Sequence, residues 1–132
     1  MDQYRPLLAI TMGDPAGIGP EIVLKALADS ETYALCRPLV VGDRRILERA
    51  APWVGAALDF DPVEEPRAGR YAPGALTLLD LRNAPPGECP VGEVSAGAGR
   101  AAVGYVERAC DLALAGRVDA VVTAPLSLAL SG

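Results

Sequence analysis

Nine consecutive residues, Gly13-Asp14-Pro15-Ala16-Gly17-Ile18-Gly19-Pro20-Glu21, place three glycines, two prolines and two carboxylates between an apolar run and a helix-like run. The chemistry such a loop suits is anion binding. Gly17 and Gly19 permit backbone angles closed to other residues and let a ligand approach the main chain, while Pro20 preorganises the first helical turn. Free amides at that turn favour a phosphate, a substrate carboxylate or the protein's own Glu21. Glu21 thus has a second reading, offsetting the helix dipole and pairing with Lys25 one turn on, worth about 0.3 kcal/mol if exposed. Asp14 is either a functional carboxylate or a turn-former beside Pro15. Neither common phosphate motif is present: no Gly-Lys-Ser/Thr follows, and Ile22 occupies the third glycine position of the dinucleotide fingerprint.

Other reactive residue types are sparse. The 132 residues include no histidine. Cys36, Cys89 and Cys110 are too widely spaced for a zinc knuckle or disulfide frame and read as buried reduced thiols, Cys110 on the buried face of its helix. Arg100 and Arg108, with Glu107 and Asp111 nearby, read as a solvated face rather than an anion site. Thr123, before Ala124-Pro125, serves equally as a cleft-lining residue or a turn cap. Trp53 reads as packing at the end of a helix. A net charge of −5 and no dense Lys/Arg cluster argue against a nucleic-acid partner. No segment is long enough to span a bilayer, and Leu7 to Met12 is interrupted too soon to be a signal-peptide core, so a cytoplasmic protein is expected.

The elements that must position these residues follow from periodicity. Leu7 to Met12 reads as a strand, the glycine loop follows, and Pro20 to Ala28 reads as a helix. Pro38 to Val41 is a second strand, and Asp43 caps a helix from Arg44 to about Ala51. Leu58 to Phe60 reads as a short strand, Pro62 to Pro73 as an exposed connection, and Leu76 to Leu81 as a strand. Asn83 to about Ser95 is a loop. Ala98 to Ala115 is the longest helix, its apolar face written by Ala102, Val103, Val106, Ala109, Cys110, Ala113 and Leu114, with Gly116 as a left-handed C-cap. Asp119 to Thr123 is apolar at consecutive positions, as expected of a parallel strand covered on both faces. The fold class is α/β, βαβ units with a mainly parallel sheet. Ligands of such sheets lie beyond the C-terminal strand ends, where both the Gly13 loop and the Thr123 turn fall.

Three segments carry a resemblance. Ile10 to Glu21, Val94 through Gly99-Arg100-Ala101-Ala102 to Ala109, and Asp119 to Pro125 resemble, in order and spacing, the 4-hydroxythreonine-4-phosphate dehydrogenase family of pyridoxine phosphate biosynthesis. The resemblance implies part of an isocitrate/isopropylmalate dehydrogenase-like fold and an NAD- or NADP-dependent oxidation of 4-phosphooxy-L-threonine followed by decarboxylation. It makes Gly13, Asp14, Gly17 and Gly19 cofactor-binding candidates and Thr123 a substrate-binding candidate, each at the cleft. It also implies a divalent metal (Zn, Mg or Co), a small phosphorylated hydroxy-acid substrate and a homodimer. The family's metal ligands are histidines, so this chain is expected to hold neither metal ligand nor catalytic residue.

Relatives in the family are about two and a half times as long and continue Thr-Ala-Pro with Asn or His and then Lys, where this chain reads Leu126 to Gly132. Residues 1–132 are therefore expected to be the N-terminal portion of such an enzyme, inactive alone, produced by truncation or by a frameshift near Pro125. Two other readings use the same residues: a phosphorylated threonate or erythronate dehydrogenase of the same family, and a noncatalytic anion-binding module.

Overall fold

The computed structural model describes residues 4–125. The chain runs β1 (Leu7–Thr11), α1 (Gly19–Ala28), α2 (Ser30–Leu35), β2 (Arg37–Gly42), α3 (Arg44–Val54), β3 (Asp59–Pro62), β4 (Ala75–Asp80), α4 (Ala96–Leu114) and β5 (Ala120–Thr123). All four strand pairings are parallel, in the order β3-β4-β2-β1-β5. The α/β class and the parallel sheet expected from sequence are both present.

Right-handed crossovers fix the layers. The chain moves one way along the sheet from β1 to β2 to β3, which puts α1, α2 and α3 on one face, where α1 packs against α3. From β4 it crosses the other way to β5, so α4 covers the opposite face and packs on β1, β2 and β5. The central strands lie between these layers, and Leu39, Val40, Val41, Leu76 and Leu78 are fully buried. Such a strand reads as a continuous apolar run because both faces are covered.

Local chemistry sets the helix ends. Asp43 caps α3 through the Arg45 amide, and Ser95 caps α4 through the Ala98 amide. Gly116, at φ +73, lies just beyond α4 in the left-handed conformation anticipated for it. α2, for which sequence periodicity gave no sign, is capped by Asp29, whose carboxylate accepts from the Glu31 amide. α3 runs to Val54, past the expected stop and through Pro52, and closes at Gly55, at φ +66, whose amide donates back to the Ala51 and Pro52 carbonyls.

Several expectations need correction. Asp119 to Thr123 is not covered on both faces: β5 is an edge strand and is largely exposed. Consecutive apolar residues do not distinguish a central strand from an edge strand. The buried stripe of α4 is Ala98, Ala101, Ala102, Tyr105, Ala109 and Leu112. It is rotated from the expected face, because Tyr105 is the large side chain that fills the sheet contact while the alanines allow close approach. Cys110 is consequently exposed and Leu114 is 88% exposed. Trp53 stands at the end of α3 but is half exposed. The connection after β3 is not wholly exposed either: Pro66 begins a short 3-10 turn and is buried with Tyr71, whose hydroxyl donates to the Pro66 carbonyl.

Candidate functional site

β1 delivers the chain into the glycine loop at its C-terminal end, and β5 ends beside it. Thr11 and Thr123 are register partners. The two segments are tied directly: the Asp14 amide donates to the Pro125 carbonyl at 3.1 Å and the Ala124 amide to the Thr11 carbonyl at 3.3 Å. The glycine loop and the Thr123 turn, read from sequence as separate cleft candidates, thus form one structure.

Each candidate has a definite place. Gly13 is buried at φ +80, and a Cβ there would collide with the Pro125 carbonyl oxygen. Gly19 is also buried; a Cβ on it would collide with the Met12 carbonyl and stand 3.2 Å from that of Pro125. These two glycines let the protein's own backbone segments close on one another. Gly17 and Gly19 do not occupy the left-handed region, contrary to the conformational role expected of them; Gly13 does. Gly17 and Asp14 are half-buried, Ile18 is 60% exposed and Thr123 is exposed, so the accessible part of the loop is its tip.

Asp14 forms the turn. Its carboxylate accepts from the Ala16 amide at 2.8 Å and its carbonyl from the Gly17 amide at 3.0 Å. α1 then starts without a side-chain cap, and the first hydrogen bond into it runs from the Ile22 amide to the Ile18 carbonyl. Its first turn therefore keeps backbone N–H groups with no side-chain acceptor, Pro20 contributing none, an arrangement that suits an anion. Glu21 and Lys25 make no ion pair, so the i,i+4 reading of Glu21 does not apply.

β2 and β4 lie side by side and send their chains to opposite faces of the sheet, the topology that opens a crevice at the strand ends. Here the protein fills it with its own carboxylates. Asp43 is fully buried and accepts from the Arg45 amide (2.9 Å), the Arg45 guanidinium (2.8 Å at Oδ2) and the Ala84 amide (2.9 Å). Burial pushes its carboxyl up, but hydrogen bonds from Arg45 and Ala84 outweigh this and hold it below the usual range. Asp80 accepts from the amides of Arg44 and Arg82. Beside this stitched crevice is a cavity of about 200 Å³ lined by Asn83, Pro85, Glu88, Cys89, Gly97 and Arg100. Burial raises the thiols of Cys89 and Cys36 and the Tyr105 phenol above their ordinary values, so none is primed as a nucleophile.

Sequence reasoning gave Asp43 only a capping role and passed over Arg49. The guanidinium of Arg49 donates to the carbonyls of Pro15 (3.0 Å), Pro86 (3.2 Å) and Cys89 (2.9 Å). A lone arginine mid-helix carries no sequence signal of such a role. Among the described residues no group of three or more His, Cys, Asp or Glu side chains is arranged to hold a metal. Asp14, Asp43 and Asp80, the carboxylates at the C-terminal ends of β1, β2 and β4, are each engaged by backbone amides, so the residues present do not fit a divalent metal centre.

The five-stranded parallel sheet places the chain in the isocitrate dehydrogenase-like α/β class, the fold of the solved dehydrogenases on which it superposes. The family model for "Pyridoxal phosphate biosynthetic protein PdxA" matches residues 34–130, and the chain belongs to that family. A solved 4-hydroxythreonine-4-phosphate dehydrogenase from Burkholderia phymatum is 44% identical and superposes with a TM-score of 0.92 over 98% of this chain and 39% of its own. A D-threonate 4-phosphate dehydrogenase from Cupriavidus necator is 45% identical over 96% of this chain and 38% of its own length. A protein of Symbiobacterium thermophilum, provisionally named for the same D-threonate 4-phosphate activity, is 52% identical over 93% of this chain and 37% of its own. The chain therefore spans little more than a third of the curated relatives it matches. No helix among the described residues is long and apolar enough to cross a membrane.

Proposed function

We propose that residues 1–132 are the N-terminal portion of an NAD- or NADP-dependent dehydrogenase. It oxidises a hydroxyl of a 4-phosphorylated four-carbon acid and then decarboxylates the product. The first reading of the substrate is 4-phosphooxy-L-threonine, in pyridoxal phosphate synthesis. The observation that carries the proposal is the join of the two cleft motifs, Asp14 to Pro125 and Thr11 to Ala124, at the C-terminal ends of adjacent parallel strands. There the uncapped start of α1 offers an anionic cofactor or substrate a polar edge, with Asp14 shaping the turn beside it and Gly13 and Gly19 setting its height from behind. Bound NAD would accept the hydride; Thr123 lines the substrate side of the same edge.

A second reading, D-threonate 4-phosphate as substrate, is favoured by the names of the relatives at 52% and 45% identity. The absence of histidine in this chain supports placing the metal ligands in the remaining part of the enzyme, so that the segment alone is inactive. A homodimer in the cytoplasm is part of the same proposal.

The test is a chimaera in which this segment replaces the matching portion of the Cupriavidus necator enzyme. Purified chimaera is assayed for reduction of NAD and NADP with each of the two phosphorylated acids. Turnover is expected, and the preferred acid decides between the readings. A folded chimaera that binds neither NAD nor either acid would overturn the proposal.

A further inference from the structure

Two loops meet over the C-terminal ends of the sheet. The first is the glycine loop after β1; the second runs from Asn83 to Ser95 between β4 and α4. They come from strands separated by β2 and have no strand pairing with each other. Two features join them. The Gly92 amide donates to the Ala16 carbonyl at 2.8 Å. Arg49, from α3, places one terminal nitrogen on the Pro15 carbonyl and the other on those of Pro86 and Cys89.

The chemistry of Arg49 suits a strut. Its guanidinium is rigid, planar and always charged, with donors fanned in fixed directions, so carbonyls bound to different nitrogens are held at a set separation. Its Nε is buried without a protein partner, so the hydrogen bonds of the guanidinium are made by the two terminal nitrogens. Each bond is charge-assisted and stronger than a neutral one. Among the described residues no other side-chain cation is hydrogen-bonded to both loops: Arg45 is committed to Asp43, and Arg44 lies over Phe60, 5.1 Å from its ring centre.

We propose that Arg49 is a positioning residue that makes the glycine loop and the Asn83–Ser95 loop one cooperative unit. The amides of Ala16 and Gly17 in the first loop and of Cys89 and Gly92 in the second become exposed in a single opening event, because the rigid Arg49 fork and the Gly92–Ala16 bond together tie each loop to the other. Under the function proposed above, a ligand seated on the Asp14–Gly17 tip is then sensed at the Cys89 loop and its cavity. That consequence rests on the proposed function; the coupling does not.

Native-state hydrogen exchange on the 132-residue chain tests the coupling without any ligand. In the wild type the four amides are expected to share one opening free energy and one denaturant dependence. In Arg49→Met all four are expected to exchange at least tenfold faster, while amides of Val40 and Leu78 in the central strands change by less than threefold. Arg49→Lys, with donors but no fixed fork, is expected to recover part of the protection in both loops. Distinct opening energies for the two loops in the wild type would overturn the proposal, and this readout stands even if Arg49→Met does not fold. Equal acceleration of loop and strand amides in Arg49→Met would also overturn it, by showing a merely structural role. Failure of the dehydrogenase reading would leave these rates unmoved, so the two failures are separable.

Discussion

Replacing Asp43 by Ala should remove about 3 kcal/mol of stability, and the structure shows where each part originates. Loss of the N-cap of α3 contributes about 1 kcal/mol. The Ala84 amide, in a residue with no solvent exposure, loses its acceptor, and a stranded buried donor costs about 2 kcal/mol. The Arg45 pair adds little, because its guanidinium side is 36% exposed. For a chain of this size the total corresponds to a fall in Tm of about 12 °C. Asp43→Asn separates the parts: its amide oxygen still caps the Arg45 amide, but its NH2 faces the Ala84 N–H, so about 2 kcal/mol should be lost. Urea unfolding followed by circular dichroism measures both, with the m-value unchanged. The pH dependence has a fixed sign. Asp43 titrates lower folded than unfolded, so its contribution is complete above the unfolded carboxyl value of about 3.9 and is lost as pH falls through the folded value. The gap between wild type and Asp43→Ala should be constant near neutrality and shrink below about pH 4. A loss under about 1 kcal/mol for Asp43→Ala, or a silent Asp43→Asn, would refute the stitched-crevice reasoning.

Three further outcomes are expected. Gly19→Ala should cost about 3 kcal/mol, since the new methyl meets the Met12 backbone carbonyl rather than a movable side chain; thermal unfolding within 1 °C of wild type would contradict the packing role. Tyr105→Phe should leave stability unchanged or raise it by up to about 1 kcal/mol, because the buried hydroxyl has no partner, and a clear loss in urea unfolding would reveal one. Titration with a thiol reagent should label Cys110 at once and Cys36 and Cys89 only on unfolding; equal rates for all three would contradict their burial.

The glycine loop shows how far sequence reasoning reaches. Its composition marked a backbone-dense, anion-compatible turn, and the structure places an uncapped helix there. The purpose of two of its glycines was not legible. Gly13 and Gly19 face the carbonyls of Pro125 and Met12, and Pro125 lies more than a hundred residues away in the chain. Cys110 failed for a similar reason. Several faces of α4 are apolar enough to pack, and only contact with the sheet, through Tyr105, selects among them.

By itself the sequence determined what depends on neighbours in the chain: the strand and helix runs, the Asp43 and Ser95 caps, the left-handed Gly116 and the α/β class. Periodicity and capping are local, so one sequence suffices to read them. The tertiary structure alone decided the order β3-β4-β2-β1-β5, the exposed edge at β5, the joining of Asp14 to Pro125 and the three-carbonyl grip of Arg49. Each depends on which distant segments the crossovers bring together, and a backbone carbonyl accepts the same way whatever side chain it carries. No residue type in the sequence announces such a contact.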